Sequence, residues 1–183
     1  MKRRPILVLL SLIGLLMSAC THTASLRGFD SGSTLLPRLE NKSVAVVADP
    51  GRIQDGHSTR TDVYTYEFKD VSLGITEALQ KRVSMTAKKV DIIPVSDVSK
   101  AQGYDLFLYP EVQSRSVHDF WTMGCLIKYG LEVRGKDGKT LVKESGEGKR
   151  NFFSANQVDA KCKEAMAEVF NKVTEKTLNQ IKL

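Results

Sequence analysis

Leu126 to Ile181 reads LIKYGLEVRGKDGKTLVKESGEGKRNFFSANQVDAKCKEAMAEVFNKVTEKTLNQI, and the change of period inside it decides the fold class. From Leu126 to Arg134 the apolar side chains alternate, with Ile127, Tyr129, Leu131 and Val133 on one face. Asp137-Gly138 then makes a hairpin turn into a second strand from Thr140 to Arg150. Beyond Ser154 the spacing becomes helical: Val158, Cys162, Ala165, Val169, Val173 and Ile181 form one stripe, widened by Met166 and Phe170. Ser154 with Gln157 three residues on has the form of a capping box, and Phe153 with Val158 that of a hydrophobic staple. Such a stripe must be buried, and the hairpin before it supplies the surface.

The same two periods recur upstream. Ser43 to Ala48 (SVAVVA) is a short β-branched run closed by Asp49-Pro50-Gly51, which predicts a buried strand and a turn. Val63 to Phe68 alternates, with Tyr64, Tyr66 and Phe68 on one face. Val71, Ile75, Ala78, Leu79 and Val83 fall at helical spacing, with Asp70 or Ser72 able to cap the start. Lys89 to Val95 and Tyr104 to Gln113 are strand-like, and Pro110 implies an edge position or a bulge in the second. The order predicts an α+β fold, a mostly antiparallel sheet with two amphipathic helices packed on one face. Residues 42–183 then form a single domain.

Before it lie two segments of different character. Residues 20–41, rich in Ser, Thr and Gly, read as a flexible tether spanning roughly 25 Å, unless Leu35, Leu36 and Leu39 dock on the domain. Residues 1–19 start with Lys2, Arg3 and Arg4, continue through an apolar run from Ile6 to Met17, and end in Ser18-Ala19 before Cys20. A dozen residues of helix reach roughly 18 Å, short of the roughly 30 Å hydrocarbon core, so this is a cleaved secretory signal and not a spanning helix. Leu16-Met17-Ser18-Ala19-Cys20 resembles the lipobox of bacterial lipoproteins, with Met17 where Leu is usual. The resemblance implies cleavage before Cys20 and lipidation of its sulfur, and several acyl chains on one residue hold a protein to a membrane durably. Thr21 in place of Asp implies the outer membrane, facing the periplasm.

The net charge of +6 partly reports the signal, which holds three of the 27 basic residues and none of the 21 acidic ones. No cluster of Lys and Arg with interleaved aromatics points to nucleic acid. Catalytic chemistry finds no foothold either. The histidines are His22, His57 and His118, without metal-ligand spacing, and Gly51, Gly56 and Gly74 lack phosphate-loop spacing, so neither a metal nor another cofactor is expected. His118 with Cys125 is the nearest thing to a thiol–imidazole pair.

Once Cys20 is lipidated, Cys125 and Cys162 remain as an even pair in an oxidising compartment, which predicts a disulfide; two buried free thiols are the other reading, because Cys162 lies on the apolar stripe. Between two strands, Ser114 to Gly124 carries Phe120 and Trp121, which mark either a partner contact or a cap on the core.

In its layout the body is similar to small outer-membrane lipoproteins of the YajG type, and to the TolB N-terminal, curli-secretion, LpoB and Pel-export lipoprotein domains. The likeness rests on VSLGITEALQKRV as first helix, YDLFLYPEVQ as middle strand, LEVRGKDGKTL as hairpin and FFSANQVDAKCKEAM opening the last helix. It implies a non-catalytic accessory protein of the cell envelope that docks on a protein partner or assembles with copies of itself. A carrier of a small ligand or lipid is the alternative, and would require an apolar cavity beneath the helices.

Overall fold

The computed structural model describes residues 21–60, 64–118 and 122–181. In chain order the strands are β1 (Thr21–Ser25), β2 (Ser43–Ala48), β3 (His57–Arg60), β4 (Thr65–Lys69), β5 (Lys89–Pro94), β6 (Leu106–His118), β7 (Met123–Gly135) and β8 (Thr140–Phe152). Helix α1 (Val71–Ser84) lies between β4 and β5, and α2 (Val158–Asn179) follows β8. The architecture is α+β, as the change of period predicts. Five strands form a sheet in the order β5-β2-β6-β7-β8, and three form a smaller one in the order β1-β4-β3.

The large sheet is mixed. Strands β6, β7 and β8 are antiparallel, but β2 runs parallel to both β5 and β6, because α1 returns the chain across the sheet before β5 begins. Pro110 lies in a central strand, yet the pairing of β2 with β6 ends at Val46 and Leu108, and the β6–β7 pairing continues through Pro110 and Leu131. The missing N–H therefore falls beyond the end of the β2 ladder.

Alternate residues of the sheet, Val44, Val46, Leu106, Leu108, Ile127, Tyr129, Leu131 and Val133, face one core that both helices cover. Helix α1 supplies Val71, Ile75, Leu79 and Val83; helix α2 supplies the predicted stripe from Val158 to Val173, and Ile181, beyond the helix end, joins the same core. Strand β8 faces α2 with Gly146 and Gly148. A Cβ on Gly148 would run into the Ala165 carbonyl oxygen, and one on Gly146 would stand 3.0 Å from Val173, so the helix backbone rests almost on the strand. On the outer face, Ala45, Val47, Phe107 and Tyr109 are covered by the 3-10 turn Val95–Lys100 with Tyr104.

The segment expected to be a tether is part of the fold. Strand β1 pairs in parallel with β4 over Thr21↔Thr65 to Ser25↔Lys69, and Leu26, Leu36 and Leu39 are fully buried. Its Ser and Thr content masked a sparse apolar pattern (Ala24, Leu26, Phe29, Leu36, Leu39) that fills the gap between the two helices. The Leu26 carbonyl crosses α1 at Gly74, where a side chain would collide with it. Asp159 of α2 accepts a hydrogen bond from the Ser25 amide at 2.9 Å, tying the first strand to the last helix.

The helix starts also differ from the sequence expectation. Asp70 sits at the head of α1 in the left-handed region (φ 55°) and makes no cap bond; Asp55, from the loop before β3, accepts from the Val71 amide at 2.9 Å. Before α2 the chain makes a 3-10 turn, Ala155–Gln157, and the Ser154 hydroxyl caps nothing. Gln157 accepts instead from the Phe153 amide at 3.3 Å, while Phe153 is 77% exposed, so neither the reciprocal box nor the staple forms.

The outer face is held by charge. Glu132 accepts from Arg52 (2.8 Å), Arg134 (2.6 Å) and Thr140 (2.8 Å), and both guanidinium groups lie against the Tyr109 ring. Burial works to raise its pKa, but the hydrogen bonds from Arg134, Arg52 and Thr140 outweigh burial and hold it at about 2.

Two measurements follow from these contacts. Asp55→Ala should destabilise the domain by about 1 kcal/mol through loss of the α1 cap, whereas Ser154→Ala should leave the denaturation midpoint unchanged. Glu132 has a depressed folded pKa, so its contribution is complete above its ordinary pKa and is lost as pH falls from about 4.5 to about 2. Glu132→Gln should remove that part of the acid dependence, a difference on the order of 3 kcal/mol across the window, in unfolding curves recorded at stepped pH.

Candidate functional site

Three features carry the chemistry that the sequence singles out. The first is one end of the molecule, where the start of β1 meets the end of β8. Thr21 pairs with Thr65, and Arg60 pairs with Thr65 from the other side. The His22 ring lies 5.3 Å from that of Tyr64 and 5.9 Å from that of Tyr66. The Tyr66 hydroxyl donates to the Met123 sulfur at 2.8 Å, and its ring meets Phe152 at 6.1 Å. Burial pushes the Tyr66 hydroxyl up to about 12, so it remains a donor at any physiological pH. Along the other flank, the Thr59 and Ser116 hydroxyls are 2.6 Å apart, laying β3 against the end of β6. Phe153 projects from this end into solvent.

Sequence reasoning placed Phe153 in a staple and so missed it as a surface residue. The signal was present: Phe152 and Phe153 are adjacent at the end of a period-2 strand, so one must point in and the other out. Phe120 and Trp121, the sequence's candidates for a partner contact, lie outside the described residues, as does Cys20. Their flanking residues, His118 and Met123, are opposite one another at the β1 end of the molecule.

The second feature is a pair of thiols. Cys125 on β7 and Cys162 in the second turn of α2 are both buried free cysteines that lie close to one another, with no disulfide between them. The neighbouring Cys125 thiol and burial push the Cys162 thiol above its ordinary value. A thiol held neutral in this way is a poor nucleophile. The structure thus brings the two cysteines near one another as buried free thiols, the second of the two readings of the sequence, without the disulfide. It does not join Cys125 to His118, which is exposed at the strand end, and the thiol–imidazole idea has no geometric support.

The third is the outer face of the hairpin. Depressions of about 490 and 570 Å3 open there, lined by Glu111, Gln113, Lys128 and Lys143 among others. Their charged walls are paired, Lys128 with Glu147 at 2.9 Å and Lys143 with Glu111 at 3.8 Å. Strand β8 forms the edge of this sheet and presents Lys143, Ser145, Glu147 and Lys149 along it. Among the described residues no group of His, Cys, Asp and Glu could hold a metal ion, and no helix is long and apolar enough to cross a membrane.

No protein-family model matches this chain, and no curated protein matches it. Its structure is similar to solved structures at low identity. A PelC dodecamer from Paraburkholderia phytofirmans is 18% identical, with 82% of this chain and 96% of that chain covered and a TM-score of 0.49. The lipoprotein GNA1162 from Neisseria meningitidis is 12% identical, with 73% and 98% covered and a TM-score of 0.45. A minor lipoprotein from Acinetobacter baumannii is 9% identical, with 78% and 92% covered and a TM-score of 0.42. Bacterial lipoproteins are thus among the structures this chain resembles.

Proposed function

We propose that the chain is a lipid-anchored, non-catalytic accessory protein of the bacterial cell envelope, attached through Cys20 at the periplasmic face of the outer membrane. Its docking surface for a protein partner is the β8 edge. The observation that carries this reading is the lipobox-like Leu16-Met17-Ser18-Ala19-Cys20 behind a basic and then apolar stretch, followed at once by Thr21, which is already paired with Thr65 of β4. Docking, rather than carriage of a ligand, is supported by the layer between helices and sheet, where Tyr129, Met166, Phe170 and Leu131 are fully buried and the strand glycines bring the helix into contact. The depressions described above lie on the charged outer face instead. Strand β8 offers the opposite character: 13 residues long, against six in β5 at the other edge, it leaves one row of backbone amides and carbonyls unpaired by any neighbouring strand among the described residues.

Export also bears on the thiols. We propose that Cys125 and Cys162 form a disulfide in the exported protein, each thiol losing a proton and the pair giving two electrons to an incoming protein disulfide by thiol–disulfide exchange. Because both thiols are shut away from an incoming disulfide in the folded domain, each about 1% exposed, the exchange takes place while the chain is still folding, before α2 closes over β7. The bridge then pins the first turns of α2 to the sheet.

Cys20→Ala should leave the protein soluble in the periplasmic fraction; a variant that still sediments with outer membranes after a high-salt wash would contradict the anchor. A photocrosslinking residue at Lys143 or Ser145 of β8 should join another envelope protein, and one at the exposed Lys81 of α1 should not. Equal adducts at both places would remove the edge from consideration. Non-reduced protein from the periplasm should be two hydrogens lighter than reduced protein, and two thiols that alkylate without reductant would exclude the bridge.

A further inference from the structure

A tether would let an anchored domain stand away from its membrane at any angle. This chain has no slack of that kind. Thr21 follows Cys20 directly, and consecutive Cα atoms are about 3.8 Å apart. Strand β1 is itself immobilised by five parallel pairs with β4, by the Leu26 amide bonded to the Lys69 carbonyl at 3.0 Å, by Asp159 on the Ser25 amide, and by burial of Ala24 and Leu26. An acylated Cys20 would therefore hold the β1 end of the molecule against the lipid.

That end has the chemistry of an interface. Among the described residues Phe153 is the most exposed of the large apolar side chains, at 77%, and it stands next to Phe152, whose ring meets Tyr66 beneath His22 of β1. Met123 and Tyr64 are partly exposed around it, and a small concavity beside them is lined by Val117, His118, Thr122, Lys149 and Asn151. Exposed basic groups ring the patch, Arg60 at the end of β3 and Lys149 on β8. An aromatic side chain flanked by cations suits the boundary between acyl chains and anionic headgroups.

We infer that the domain sits directly on the bilayer by this end, with Phe153 entering the interfacial layer and Arg60 and Lys149 at the headgroups. The inference rests on the Cys20 anchor proposed above. It also fixes the orientation of the rest: β8 runs away from the surface, and the β7–β8 turn at Asp137-Gly138 lies about 40 Å along the strand from Phe153.

The test uses the full, acylated chain reconstituted into vesicles of phosphatidylethanolamine and phosphatidylglycerol that contain phosphatidylcholine brominated at the 6,7 acyl positions. In a Trp121→Phe background, the single indole is introduced by Phe153→Trp or by Leu141→Trp, the latter at the far end of β8. Bromine should quench the Phe153→Trp protein at least twofold more than the Leu141→Trp protein. Equal or absent quenching, in protein that floats with the vesicles and carries its acyl mass on the N-terminal peptide, would overturn the direct seating alone and leave Phe153 to a protein partner or a second copy. Protein that neither floats nor carries the acyl mass would overturn the anchor and this inference with it.

Discussion

Helix α2 reaches the sheet because β8 leaves it room. Gly146 and Gly148 remove two side chains from the face that the helix covers, and the Ala165 carbonyl occupies the space where a Cβ would stand. Much else depends on that approach. It lets Tyr129 lie under Phe170, with ring centroids 5.3 Å apart, and lets its hydroxyl reach Thr174 at 3.2 Å. It brings Cys162 onto Cys125. It also places Asp159 within reach of β1, so the small sheet is fastened through the helix that the glycines admit. Two residues without side chains thus control how three layers meet.

Elements with a strong local period were legible in the sequence: both helices, the buried β2, and the hairpin with its Asp137-Gly138 turn, where Gly138 has φ 78°. The α2 stripe is buried at every named position. What failed to show were features made by distant partners. Strand β1 has only five residues, one fully buried, and its partner β4 lies more than 40 positions on, so nothing local distinguishes it from a coil. Asp55 caps α1 from another loop, which no spacing rule finds, while Ser154 satisfies the spacing of a cap and makes none. Parallel pairing of β2 was equally hidden, since it depends on where α1 returns the chain.

The candidate site divides the same way. The hairpin returns the chain to the start of α2 and so brings β7 under that helix, but Cys125 and Cys162 lie there as free thiols. Phe153 was misplaced because a staple was assumed where a 3-10 turn intervenes. The arginines flanking Glu132 come from a loop and a strand, 80 positions apart for Arg52, and no motif links them. Charges on the outer face consequently look unremarkable in sequence and form a fixed, paired surface in space.

The bond between Ser25 and Asp159 joins residues 134 positions apart. A chain that emerges from its amino end therefore makes its first strand long before the residue that secures it exists. Until α2 is complete, β1 can pair with β4 but lacks its anchor on the helix, and Leu26 has only part of its core. Closing so long a loop is slow, because its entropy must be overcome before the contact contributes. The segment nearest the proposed lipid is thus the last to become rigid, and its ordering reports that the whole polypeptide has arrived.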